Sequence, residues 1–145
     1  MTDDANNATA ELFFAILASE VFLWDSFDAA FKQAGVGLTM ARFIPLYHLR
    51  NAPMRLQELS ACCNNKESAM SRIAARMEED GLVEKIPDET DRRAVLLSLT
   101  RQGRHSVESA CRVFNAKAEE LFGGLSASDK RALLKVLAKL AGPRP

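Results

Sequence analysis

The sequence predicts a mainly α-helical chain with a small β-wing: a winged helix-turn-helix carried between N- and C-terminal dimerisation helices. Three observations predict it. In residues 55–100 two short segments with helical apolar spacing flank a tight turn, and the second runs into Gly81. Two strand-like runs, residues 83–86 and 94–99, follow on either side of PDETDRR, a charged stretch that cannot be regular structure. On both flanks, long segments repeat apolar residues at steps of three and four.

Residues 8–34 read as one long helix, with Phe13, Leu17, Val21, Trp24, Phe27 and Phe31 on one stripe. Leu12, Phe14, Ile16 and Leu23 widen that stripe beyond what a small lobe can cover, so a partner chain is expected. Gly35-Val36-Gly37 ends the helix. Thr39 is a reasonable N-cap for a second helix over residues 40–50, and Pro45 inside it predicts a kink. After a turn at Asn51-Ala52-Pro53, a helix over 56–62 starts without an obvious capping residue. The next, over 66–80, has Ala69, Met70, Ile73, Ala74 and Met77 at helical spacing and Ser68, Ser71, Arg72 and Arg76 on its other faces. Gly81 can end it in a left-handed conformation. Residues 101–122 form a further helix whose Val107, Cys111, Phe114, Ala118 and Leu121 follow a heptad pattern. Ser126 and Asp129 make a capping box for a last helix carrying Leu133, Leu134, Val136, Leu137 and Leu140, stopped by Gly142-Pro143.

The bulk numbers exclude several classes. A chain of 145 residues, 48% hydrophobic and 26% charged, is the size and composition of one ordinary soluble domain. No apolar run approaches the roughly 20 residues needed to cross a bilayer. The N-terminus, MTDDANNATAE, is polar and acidic, so no signal peptide is indicated. Three cysteines without a paired framework fit a reducing cytoplasm. His48 and His105, the two histidines, have no ligand spacing with the cysteines, which argues against a metal site. Gly-rich phosphate loops, nucleophile elbows and clustered carboxylate pairs are absent, so neither an enzyme nor a cofactor is expected.

Net charge is zero, but its distribution is uneven. Residues 1–34 hold six acids and one base, whereas residues 50–104 hold ten bases and nine acids. The acids of that central stretch cluster in Glu78-Glu79-Asp80 and Asp88-Glu89, leaving Arg72, Arg76, Arg92 and Arg93 where a winged helix faces DNA. Double-stranded DNA is therefore the expected partner, with strongly salt-sensitive binding.

The same stretch resembles the multiple-antibiotic-resistance regulator (MarR) family of bacterial transcription factors. The family pattern of Leu-Ala, a turn, Ser-x-x-[Ser/Thr]-Arg, then Leu-Glu-x-x-Gly-Leu-Val is matched by Leu59-Ser60, by Ser68 to Arg72, and by Met77 to Val83. Its wing pattern, Asp-x-Arg, a hydrophobic strand and Leu-Thr-x-x-Gly, is matched by Asp91 to Arg93, by Ala94 to Ser98 and by Leu99 to Gly103. Asn64 stands where the family often has glycine, a mild departure because asparagine tolerates left-handed geometry. Cys63 replaces an aliphatic residue. The resemblance implies one domain over residues 1–145, with a DNA-binding lobe at about 38–100 and dimerisation helices at about 8–34 and 101–141. It implies a homodimeric, ligand-responsive repressor on a pseudo-palindromic site, its recognition helices about 34 Å apart.

Within that frame, Ser68, Ala69, Ser71 and Arg72 meet base edges in the major groove, where hydroxyls and a guanidinium hydrogen-bond and a small residue approaches a thymine methyl. On charge alone an ordinary solvated helix face would be the better reading; the motif context reverses it. Lys66 and Arg76 are expected on phosphates. In the wing, Arg93 is expected in the minor groove, held extended by a bidentate pair with Asp91, as the family uses this pair, and Arg92 on phosphate. An aromatic group of Trp24, Phe27, Phe31, Phe43 and Tyr47, with His48 and Arg50, reads first as packed core. The resemblance adds a second reading, a site for a small aromatic or phenolic effector, with Arg50 and His48 as its polar contacts. Cys62, Cys63 and Cys111 read as buried small hydrophobes rather than redox sensors. The alternatives are a winged helix that docks protein without binding DNA, and a redox-sensing regulator of the same family.

Overall fold

The computed structural model describes the backbone of residues 2–141 and the side chains of residues 7–141. Its elements run α1 (Thr2–Gln33), α2 (Met40–Leu49), α3 (Leu56–Cys62), α4 (Glu67–Glu79), β1 (Val83–Pro87), β2 (Val95–Leu99), α5 (Arg101–Phe122) and α6 (Ala127–Leu140). α1 starts six residues earlier than the apolar pattern predicts, because periodicity marks the apolar turns of a helix and not the polar turns that precede them. The Gly142-Pro143 stop lies outside the described residues.

The helix starts are fixed in different ways. Thr39 stands at the N-cap of α2 with extended backbone (φ −103, ψ 164), but its hydroxyl makes no cap bond. The free amide of Met40 instead donates to Asp28 Oδ1 of α1, at 2.6 Å. At α3, the N-cap amide of Arg55 donates to the Glu58 carboxylate at 3.0 Å, the acid half of a capping box. Ser126 and Asp129 form the full box at α6.

The helix-turn-helix follows from two left-handed residues. Asn64 takes φ 50 in the turn between α3 and α4. Gly81 takes φ 72 after α4, and the amides of Gly81 and Leu82 return to the carbonyls of Glu78 (3.0 Å) and Met77 (2.8 Å), a Schellman closure. β1 and β2 then pair antiparallel from Val83↔Leu99 to Pro87↔Val95. Met54, just before α3, adds a bridge to Leu97, each residue donating its amide to the other's carbonyl (3.0 and 2.8 Å). Thr100 opens α5: its hydroxyl accepts from the Gly103 amide and donates to the Gly81 carbonyl, so the start of α5 is pinned to the end of α4.

The core lies where the C-terminal part of α1 meets α2, α3, α4, the hairpin and the first half of α5. Phe31, Leu46, Leu49, Leu59, Met70, Met77, Val83 and Val107 are among its fully buried side chains. Away from it the same helices are bare. Leu12, Phe13, Phe14, Leu17, Val21 and Phe22 of α1 are exposed, as are Leu133, Leu134, Val136, Leu137 and Leu140 of α6.

Candidate nucleic-acid interface

Burial of Met70, Ala74 and Met77 at i, i+4 and i+7 sets the roll of α4. The opposite face is left to solvent, and Lys66, Ser68, Ser71, Arg72 and Arg76 are all exposed on it, with Ala69 half-buried at its edge. The hairpin carries Asp91, Arg92 and Arg93, also exposed, at its tip.

The charges sort themselves. At the C-terminal end of α4, Asp80 pairs with Arg42 of α2 at 2.6 Å and Glu78 with Lys85 of β1 at 3.3 Å. Glu79 stands 3.9 Å from Arg76, a loose and exposed contact of little energetic weight. The side chains of Lys66, Arg72, Arg92 and Arg93, by contrast, make no ion pair among the described residues. The central lobe is close to neutral as a sum, yet three of its acids are engaged by cations near the end of α4, while these four bases are left for an outside anion.

The wing tip is organised differently from the sequence expectation. Asp91 does not pair with the Arg93 guanidinium. Its Oδ1 accepts the backbone amide of Arg93 at 3.1 Å, and its Oδ2 stands 3.7 Å from the guanidinium of Arg55. A short carboxylate reaches the amide two residues ahead more readily than a long guanidinium that solvent also claims. The bond shapes the turn, and the guanidinium stays free.

The principal anchor of the loop is Asp88, which sequence reasoning did not single out. Its side chain is 11% exposed and accepts four bonds. Oδ2 takes Arg55 Nη2 at 2.7 Å and Nε at 3.1 Å; Oδ1 takes the Thr90 hydroxyl at 2.8 Å and the Thr90 amide at 2.9 Å. The Arg55 guanidinium first, then the Thr90 amide and hydroxyl, hold this carboxyl well below the usual carboxylate range. An Asp-x-Thr turn was a readable local signal for half of this arrangement. The Arg55 half, 33 residues away in the chain, had none.

The aromatic group forms, with one loss and one gain. Phe43 is its centre, with ring centroids 5.0 Å from Phe114, 5.2 Å from Phe31 and 5.6 Å from Tyr47, and Phe27 stacks on Phe114 at 4.7 Å. His48 meets the edge of Tyr47, and the Arg50 guanidinium lies 4.2 Å from the Tyr47 centroid while donating to Cys111 Sγ. Trp24 is not part of it. It sits one turn before Phe27, on the N-terminal side of the core, and is 40% exposed. Phe114 takes that place because α5 crosses back over the first two helices.

The cysteines divide. Cys111 is buried and Cys63 half-buried, with its thiol pushed up to about 11 by burial and then by Cys62. Cys62 is exposed, contrary to the reading of all three as buried, because the short α3 turns this position away from α4. Among the described residues no three His, Cys, Asp or Glu side chains are grouped to hold a metal ion, and no helix is long and apolar enough to cross a membrane.

A helix-turn-helix followed by a two-stranded hairpin with cations at its tip defines the winged-helix class. A family model described as "MarR family" matches residues 36–94. The HTH-type transcriptional regulator BilQ of Clostridium symbiosum is 26% identical over 109 residues, 75% of each chain. The solved structure of AbsC, a MarR family transcriptional regulator from Streptomyces coelicolor, superposes with a TM-score of 0.82 at 25% identity, covering 97% of this chain and 94% of that one. The transcriptional repressor CouR bound to a 23-mer DNA duplex gives 0.77 at 26% identity, over 90% and 92%. CouR from Rhodococcus jostii RHA1 bound to p-coumaroyl-CoA gives 0.83 at 20% identity, over 93% and 94%. Over residues 36–94 the chain matches the MarR family, and across nearly its whole length it shares the fold of MarR-family winged-helix transcriptional regulators.

Proposed function

We propose that this chain is a sequence-specific DNA-binding repressor that acts as a two-fold homodimer on a pseudo-palindromic operator and is released by a small aromatic or phenolic effector. The observation that carries this reading is the set of cations without an ion pair among the described residues, Lys66 at the start of α4, Arg72 on it and Arg92 and Arg93 at the wing tip, while Asp80 and Glu78 at the end of α4 are paired within the fold. Ser68, Ala69, Ser71 and Arg72 read base edges in the major groove; Lys66, Arg76 and Arg92 contact phosphates; Arg93 enters the minor groove. Asp91 contributes by shaping the turn that presents Arg93. Residues 38–100 form the DNA-binding lobe, and α1, α5 and α6 supply the dimer contacts. The protein works by binding in the cytoplasm, without a catalytic step.

The effector reading rests on Arg50. CouR is solved with p-coumaroyl-CoA, a phenolic thioester. In this chain a half-buried guanidinium stacked on Tyr47 offers a carboxylate or thioester oxygen a donor, with Phe27, Tyr47 and His48 as walls. Such a ligand relieves repression only by binding one dimer shape better than the other.

The test is recovery of bound sites from a mixed-sequence duplex pool at two salt concentrations. An enriched inverted repeat whose affinity falls steeply with salt supports the reading. A folded dimer that enriches nothing and shows no salt-dependent binding overturns it and turns attention to protein partners of the wing.

A further inference from the structure

The wing must hold Arg92 and Arg93 at one height relative to α4 if both elements are to engage a single duplex. A two-stranded hairpin by itself is a poor way to do this, because isolated hairpins are marginally stable. Here the hairpin is held by the Met54–Leu97 bridge, but that tie lies at the middle of β2, two residues from the loop end of the strand. Between it and the tip, the ties of the loop to the rest of the lobe among the described residues both end on Arg55: the short, doubly hydrogen-bonded pair with Asp88 and a looser 3.7 Å contact with Asp91.

Both partners are fixed before they meet. The Arg55 amide is bound by Glu58 at the start of α3, and its neighbour Met54 is in the bridge. Asp88 is locked to Thr90 through Oδ1, and its amide donates to the Ala94 carbonyl at 3.1 Å, closing the loop. Nε and Nη2 of Arg55 converge on the remaining oxygen. Asp88 is almost wholly buried, so it is not itself a group that touches a nucleic acid.

We propose that Arg55 is a positioning residue for DNA binding: by clamping Asp88 it fixes the wing on the helix-turn-helix, so that Arg92 and Arg93 are presented in one arrangement. This role rests on the DNA-binding reading above. It makes a prediction opposite in sign to simple electrostatics. Asp88→Asn removes a negative charge near the duplex and releases Arg55 as an additional free cation, which by charge alone tightens binding. Loss of the clamp weakens it instead.

The experiment titrates the recovered duplex with wild type, Asp88→Asn and Arg55→Gln, and repeats all three in an Arg92→Ala/Arg93→Ala background. The expected result is a loss of roughly tenfold in affinity for each clamp variant in the full protein, the size of losing about one good DNA contact. In the background without wing arginines, neither clamp variant changes affinity by more than about twofold, because residues that act through a shared element are non-additive. Amide exchange at residues 88–94 rises in the free clamp variants while that of α4 stays unchanged, which a general loss of folding does not produce. If Asp88→Asn does not fold, Arg55→Gln, at a half-exposed position, carries the same coupling test. Clamp variants that bind as well as wild type, or whose loss persists undiminished without the wing arginines, overturn this role alone. A wild type that binds no duplex overturns the DNA reading and this role with it.

Discussion

A methyl group on Gly103 would stand 1.8 Å from the carbonyl oxygen of Leu82, closer than any real contact. Both sides of that approach are fixed by hydrogen bonds through Thr100, so neither backbone can give. Gly103→Ala is therefore expected to destabilise the fold by about 3 kcal/mol, at the upper end of overpacking costs, measured by denaturant melting. The cysteines give a second residue-scale prediction. Cys62 is exposed, whereas the Cys63 thiol is held in its neutral form by burial and Cys111 is enclosed. Thiolate is the reactive species, so iodoacetamide at about pH 8 is expected to label Cys62 first, with one adduct forming well before a second by mass spectrometry. Equal labelling of all three would mean that the cores of α3 and α5 open readily.

At the scale of the element, the turn of the helix-turn-helix and the wing loop each depend on one side chain. Asn64 holds a left-handed conformation that other non-glycine residues adopt at a cost of about 1 kcal/mol, and Asn64→Ala should lose that much stability in the same melting assay. The wing carries a pH signature. The folded Asp88 carboxyl is held below its unfolded value, so its contribution to stability is complete above the unfolded pKa and is lost as pH falls towards the folded one. Asp88→Asn should accordingly be less stable than wild type at pH 7, and the two should converge below about pH 4, where unfolded carboxylates take up protons. A difference between them that is unchanged down to pH 2 would show that the pair adds nothing through ionisation.

For the whole molecule, the exposed apolar faces of α1 and α6 matter most. Phe13 is 62% and Leu134 67% exposed, in rows of similarly bare residues, and a contiguous patch of this kind marks an interface. Leu134→Asp is expected to convert a dimer to a monomer by sedimentation, leaving the winged lobe folded. Operator affinity should fall by about 100-fold or more, because two half-sites are no longer held together. Substitution of Arg93 by Ala, which leaves the dimer untouched, should cost about 1–3 kcal/mol of operator binding and lower its salt dependence.

The sequence by itself determined the order and type of the elements, the left-handed Asn64 and Gly81, the Ser126–Asp129 cap and the buried stripe of α4. All of these are local: they depend on residues within one or two turns, or on periodic burial of one face. The resemblance to the MarR family was legible for the same reason, since its motif is a set of neighbours at fixed spacing. What tertiary structure decided is what joins distant parts of the chain. Asp28 capping α2, Arg55 reaching Asp88, Phe114 replacing Trp24 among the aromatic rings, and Arg42 and Lys85 neutralising acids at the end of α4 all depend on where helices cross. The expected Asp91–Arg93 pair failed because adjacency in sequence offered that carboxylate a backbone amide as well as a guanidinium. Periodicity shows which face of a helix is apolar; only the packed chain shows what that face meets, and which charges remain free when packing is complete.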